Sequence, residues 1–453
     1  MKHLKKISLL GWGAFILLII LSITGAFMNP GKLLSAEGLV PADIAWVMIA
    51  GTLVFLMTPG LSFFYGGMVN NKNIISTMLQ SFIATGLISI FWVVIGFSLA
   101  FGSSFHGLIG DPTKYFFFQN ILSSQPSPLA PTIPLLLYAL FQLKFAIIAP
   151  AIVVGAIAER IQFKAYLLFM FLFSLVIYVP VAHWAWNPDG ILAQLGVLDF
   201  AGGTVVHITA GCAALAGAIV LKQRKRFKRT EDEPSNIPFV LLGTGLLWFG
   251  WFGFNAGSAM GANGLAVSAF ATTNTATAAA GLSWIFFDSI RGRKPSAMGF
   301  CIGAVVGMVA ITPASGFVGI PQSLCIGVVA ALISNLAVHW RSQSSLDDTL
   351  DVFPCHGIGG MVGMLLTGVF ATTAINPDGA NGWLYGNFSL FSTQLLGMLI
   401  VASYSFVMAW ILFKIVNLIY PIRVSEDEEE LGLDISQHDE SNNIQGGYPI
   451  LDI

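Results

Sequence analysis

Charge is scarce in this chain. Of its 453 residues only 10% are Asp, Glu, Lys or Arg, while 55% are hydrophobic. So little charge, with long apolar runs throughout, excludes a soluble enzyme and leaves an all-α polytopic membrane protein. The net charge of -2 offers nothing to nucleic acid, and neither a basic arm nor an aromatic RNA-type motif occurs. Cysteine is sparse too. Cys212, Cys301, Cys325 and Cys355 all fall in apolar segments without metal-type spacing and read as packing thiols. No cofactor is expected. An intramembrane hydrolase using Ser258 and a histidine would lack both a serine elbow and a metal motif.

Arginine is missing from every second loop. The apolar runs give eleven approximate spans, at 44–66, 74–101, 133–158, 165–186, 200–221, 236–256, 264–289, 297–312, 318–340, 353–373 and 390–420. Loops after the odd-numbered spans hold Lys72, Arg160, Lys164, the block from Lys222 to Arg229, Arg291, Arg293, Lys294, Arg341 and Arg423. The intervening loops hold only Lys32 and Lys114. The positive-inside rule therefore starts the first span outside and leaves the C-terminus in the cytoplasm of a cell with this chain in its inner (cytoplasmic) membrane. Two five-span halves, roughly 44–221 and 236–373, each end in a helix with one histidine. Since five is odd, the halves are expected to lie inverted in the bilayer, followed by a single C-terminal helix.

What the chain does contain is a carboxylate and a histidine at membrane depth. Residues 199 to 207 read Asp-Phe-Ala-Gly-Gly-Thr-Val-Val-His. Ionisable groups inside a bilayer are costly and usually mark a substrate path. Asp199 stands where a helix begins, so its oxygens are expected to accept the N–H groups of Ala201 to Gly203. His207 follows eight residues on, roughly 12 Å deeper at about 1.5 Å per residue. A second histidine, His356, occurs in Asp351-Val-Phe-Pro-Cys-His, again an Asp, a helix start and a His. Two neutral, mutually bonded imidazoles would suit a narrow path for a small polar molecule.

The remaining segments fall around this pair. Residues 1–28 are lysine-rich and then apolar, which fits a cleaved signal peptide, the favoured reading, or an extra N-terminal helix. Residues 29–423 form one membrane domain without an internal linker. From 424 to 453 the chain turns acidic, with Glu426 to Glu430 nearly unbroken, and reads as an exposed, partly disordered tail. Phe141 and Phe145 are four apart and share a helix face, as do Phe254 and Ser258. Trp186 ends the fourth span, where it reads either as an interfacial anchor or as an aromatic face for a cation.

Five segments together resemble the ammonium transporter family (Amt/MEP, related to the Rhesus proteins). They are Pro59 to Gly67, Gly155 to Arg160, Asp199 to His207, Trp251 to Ser258 and Asp351 to Gly360. The resemblance implies ammonium or ammonia transport by a homotrimer with one pore per subunit. It implies an outer recruitment site at Phe141, Trp186 and Ser258 and a two-phenylalanine gate at Phe145 and Phe254. His207 and His356 would be its twin pore histidines, and Asp199 a structural and electrostatic carboxylate. It also implies regulation through the tail and cytoplasmic loops by a PII-type signalling protein. Three positions depart from the family pattern: Lys144 between the two phenylalanines, Cys355 before the second histidine, and Asp439 in place of a glycine in the tail. Lys144 sits roughly 80° from the mean direction of Phe141 and Phe145, at 100° per residue, and is expected outside the conduction path. The departures also admit an ammonium sensor on the same fold with little or no conduction.

Overall fold

A computed structural model describes residues 9–442, apart from 30, 32–37, 123, 124, 226 and 228–233, with side chains from residue 12. Helices dominate because apolar runs with no water to bond must satisfy their own backbone groups. In chain order they are α1 (Leu9–Ala26), α2 (Pro41–Met68), α3 (Asn71–Phe101), α4 (Leu135–Ile157), α5 (Phe163–Gln194) and α6 (Gly203–Leu221). Then follow α7 (Ile237–Gly257), α8 (Gly264–Ile290), α9 (Ala297–Ile311), α10 (Ile320–Gln343), α11 (Phe353–Phe370) and α12 (Phe388–Ile419). Two short helices, α13 (Glu426–Leu431) and α14 (Leu433–His438), close the described chain.

Among the described residues nine of these helices, all from α2 to α12 except α8 and α9, are long and apolar enough to span a bilayer. Helix α8 is long enough but too rich in threonine and other polar residues, and α9 is short. The eleven expected spans therefore meet eleven helices, nine of them spans on length and composition alone. The expectation for residues 1–28 meets α1, while residues 1–8 lie outside the described residues.

Helices α4 and α6 are the most enclosed. They sit at the centre with α11, and apolar side chains such as Phe286, Leu399 and Trp410 cover the outside. Their burial follows from composition: α6 is Thr209-Ala-Gly-Cys-Ala-Ala after its first turns, and small side chains let backbones approach.

At one face the helix ends and the tail are knitted together by ionic contacts. Arg160 is fully buried and donates to the carbonyls of Ala156 (3.0 Å), Ala158 (3.4 Å) and Asp347 (2.5 Å). It thereby satisfies carbonyls left over where α4 ends. Arg224 reaches Glu159 at 2.5 Å and Asp347 at 3.0 Å. Burial alone would raise the Asp347 carboxyl, but Arg160 and Arg224 beside it hold it below the ordinary aspartate value.

The tail is where expectation and structure part. Residues 426–431 and 433–438 are helical and docked, with Leu433, Asp434 and Glu429 buried. Asp434 accepts the backbone N–H groups of Ser76 (2.8 Å) and Ile75 (3.1 Å). Glu429 accepts Lys225 N–H (2.5 Å) and pairs with Arg423 (2.7 Å). A run of carboxylates that looked solvated in sequence is ordered because the basic loops supply partners. Asp439 closes α14 with φ of 56°, a left-handed conformation. That geometry explains why glycine suits the position and why Asp, which tolerates it better than most residues, is a workable replacement.

Candidate functional site

The face opposite the tail carries a cavity of about 230 Å³. Tyr138, Gln142 and Phe145 on α4 line it, with Trp186, Phe200, Ser258 and Met260 among the others. Trp186 is fixed by its indole N–H, which donates to the backbone carbonyl of Asp199 at 3.0 Å. The Ser258 hydroxyl donates to the carbonyl of Phe254 at 2.8 Å, which turns its lone pairs outward. Phe141 does not line the cavity. It is 1% exposed and packs behind Phe145, ring centroids 5.0 Å apart. Positions 138, 142 and 145 of α4 line the cavity, while Phe141, on the same i, i+3, i+4, i+7 face, packs against Phe145.

Below the cavity an aromatic file leads inward. Phe145 and Phe254 lie with centroids 4.1 Å apart, and Phe254 is 6.1 Å from the ring of His207. His207 stacks on Trp251 at 5.2 Å, and Trp251 is held by its N–H donating to Thr312 at 2.9 Å. The two histidines, both buried, meet at Nδ1 to Nδ1, 3.3 Å apart. One nitrogen must carry the proton and the other accept it. His207 Nε2 has no hydrogen-bond partner among the described residues.

The local backbone explains how the histidines come together. Each begins its helix in a π-helical turn, Gly203–Ile208 for His207 and Phe353–Ile358 for His356. Asp199 caps the first: its oxygens accept N–H groups from Gly202 (2.8 Å), Gly203 (2.6 Å), Thr204 (2.8 Å) and Val205 (3.3 Å), besides the Thr204 hydroxyl. The cap thus begins one residue later than expected and misses Ala201. The second helix is capped by Asp348, not by Asp351. Asp348 accepts Val352 N–H (3.0 Å) and Phe353 N–H (2.7 Å), whereas Asp351 pairs with Arg341 at 2.7 Å. Burial and the neighbouring Asp351 charge push the Asp348 carboxyl up to about 6.

Sequence reasoning missed Asp348, yet spacing could have found it. Asp199 precedes His207 by eight residues, Asp348 precedes His356 by eight, and a glycine follows each histidine by four. Those glycines, Gly211 and Gly360, sit where the helices touch. A Cβ on Gly211 would collide with the backbone of Gly357, and one on Gly360 would come within 3.1 Å of the Gly203 carbonyl.

Lys144 stands apart from all of this. Its amine lies 5.2 Å from the ring centroid of Phe55, on the exposed side of α2, and it does not line the cavity.

The family profile described as Ammonium Transporter Family matches residues 45–443. The chain belongs to the ammonium transporter family. Among its relatives in that family, the ammonium transporter of Bacillus subtilis is 44% identical over 399 residues, 88% of this chain and 97% of the relative. The ammonium transporter of Aquifex aeolicus is 43% identical, covering 93% and 97%. Of solved family structures, Saccharomyces cerevisiae Mep2 superposes with a TM-score of 0.82 at 32% identity, over 90% of this chain and 94% of that one. A sensor Amt protein superposes with a TM-score of 0.81 at 30% identity, over 88% and 98%.

Proposed function

We propose that this chain carries ammonium across the cytoplasmic membrane, shedding its proton before ammonia passes a dry pore. The observation that carries this reading is the buried His207–His356 contact of 3.3 Å, set behind stacked phenylalanines and below an aromatic cavity. Ammonium in the cavity is held by the face of Trp186 and the oxygen of Ser258 without a full countercharge. Moving that charge through an apolar bore would be expensive, and separating proton from ammonia avoids much of the cost. Phe145 and Phe254 act as the gate, the histidines line the bore, and Asp199 shapes it from behind as a cap.

The test is uptake of labelled methylammonium by cells lacking their own transporter. A wild type without uptake would sink the reading and favour the sensor alternative, which the likeness to a sensor Amt protein supports. Trp186→Leu is expected to raise the half-saturation constant about tenfold, as the loss of one cation–π contact would. Its thermal midpoint should barely move; an equal loss of both would make Trp186 an interfacial anchor instead.

Lys144→Met is expected to transport within about twofold of wild type, because that amine faces Phe55 and not the cavity. A silent wild type that becomes active on this substitution would instead show that the lysine closes the pore.

The tail face is proposed as cytoplasmic, since Lys72, Arg160, Arg224 and Arg423 gather there with the tail. The equal Asp, His and Gly spacings support two inverted halves. A homotrimer is supported by Asn274, exposed midway along α8 where lipid offers no partner but a second copy does. Residues 1–28 remain proposed as a signal peptide or extra helix, 29–423 as the membrane domain and 424–453 as a regulatory tail. A PII-type protein is its proposed partner, on the family resemblance.

A further inference from the structure

We infer that Gln142 is a specificity-determining residue whose side-chain carbonyl accepts an N–H of ammonium in the outer cavity. This rests on the transport reading above. Gln142 is 5% exposed, lines the cavity, and its Oε1 has no hydrogen-bond partner among the described residues. A buried carbonyl without a donor is costly, and most such groups in folded proteins are satisfied. The other end of the amide is not idle. Nε2 donates to the hydroxyl of Tyr138 at 3.3 Å, one helical turn earlier. Tyr138 is itself 2% exposed, with its ring held edge-on against Phe101 at 5.2 Å.

The two orientations of that amide have opposite consequences. With Nε2 on Tyr138, the buried Oε1 is the end of the amide left without a donor. With the amide reversed, Tyr138 donates to Oε1 and an NH2 group confronts the cavity, which repels a cation. Occupancy by ammonium therefore selects the first orientation, and Tyr138 holds it as the acceptor that Nε2 needs.

The acceptor set then fits one class of ion. Gln142 on α4 and Ser258 just after α7 each bring one oxygen to the lining, and Trp186 and Phe145 bring aromatic rings. A tetrahedral donor of N–H bonds is served by such a set. A bare alkali cation, which needs a full shell of oxygens in exchange for its water, is not. Each alkyl group added to nitrogen removes one donor, so affinity is expected to fall from ammonium through methylated amines.

The experiment measures labelled methylammonium uptake and its inhibition by unlabelled ammonium, in the full-length protein, for three variants. Gln142→Met keeps the length and helix preference but removes the oxygen. It is expected to raise the half-saturation constant about tenfold, the loss of a hydrogen bond to a charged group, with maximal rate within about twofold. Gln142→Glu keeps acceptor oxygens and is expected at or below the wild-type constant. Gln142→Asn withdraws the carbonyl by one methylene and should behave as Met does, which serves if the Met variant fails to fold. An unchanged constant in both Met and Asn variants overturns the inference, as does an equal rise in all three, which marks a packing role. If Trp186→Leu raises the constant while Gln142→Met does not, the transport reading stands and this inference alone falls. A wild type without uptake removes both.

Discussion

Cells whose only ammonium transporter is the His207→Ala variant will take up methylammonium at least about tenfold more slowly than wild type, the scale at which positioned proton exchange matters. The variant will still fold. His207 meets His356 at Nδ1 and lies against the rings of Trp251 and Phe254, in a core built chiefly from apolar side chains. Its removal costs about 1–3 kcal/mol, from a vacated ring and an unpaired His356 nitrogen. What the variant loses is the polar bridge in an otherwise apolar bore. His356→Ala is expected to do the same, and the double variant to be little worse than either single one, because the pair acts as a unit. The checks are uptake, size-exclusion profile and potassium leak. Full uptake in both single variants would make the histidines packing residues and end the mechanism.

Asp199→Ala will be the most damaging single substitution outside the bore. Four backbone N–H groups and the Thr204 hydroxyl converge on this one carboxylate, and all are buried. Each donor left without a partner costs about 1–3 kcal/mol, so even with partial relaxation the loss is several kcal/mol. The thermal midpoint is expected to fall by more than about 5 °C, and transport to be lost. Asp199→Asn separates two roles. It keeps one acceptor oxygen but turns an NH2 group toward the capped N–H groups, so a pure cap should be half-weakened in stability and transport together. Wild-type stability with no uptake would show that the negative charge itself acts on the substrate.

Much of this architecture was readable in advance, and the misses have physical causes. Hydropathy found the spans because a bilayer imposes length and apolarity on each helix independently. His207 and His356 stood out because imidazoles are rare at that depth. Asp351 opens the second histidine motif and stands nearest its helix start. Yet Asp351 takes φ of 57° and pairs with Arg341, leaving the helix start to Asp348. The resemblance puts Phe141 beside Trp186, whereas the cavity is lined by its neighbour Gln142 and by Phe145, against which Phe141 packs. The π-helical turns leave no mark in apolar periodicity over so few residues. The docked tail was invisible for another reason: its partners, from Lys72 to Lys225, lie more than two hundred residues away in sequence.

Because the helices carrying the histidines touch main chain to main chain at Gly211 and Gly357, the bore inherits its width from the backbone and not from the side chains around it. The shell that meets lipid, with Phe286, Leu399 and Trp410, is thereby released from any duty to the bore. Descendants of such a protein can retune that shell to thick or thin, fluid or stiff membranes while the passage keeps its dimensions. Divergence is expected to run fast on the outside of the molecule and to stall at two glycines in its middle.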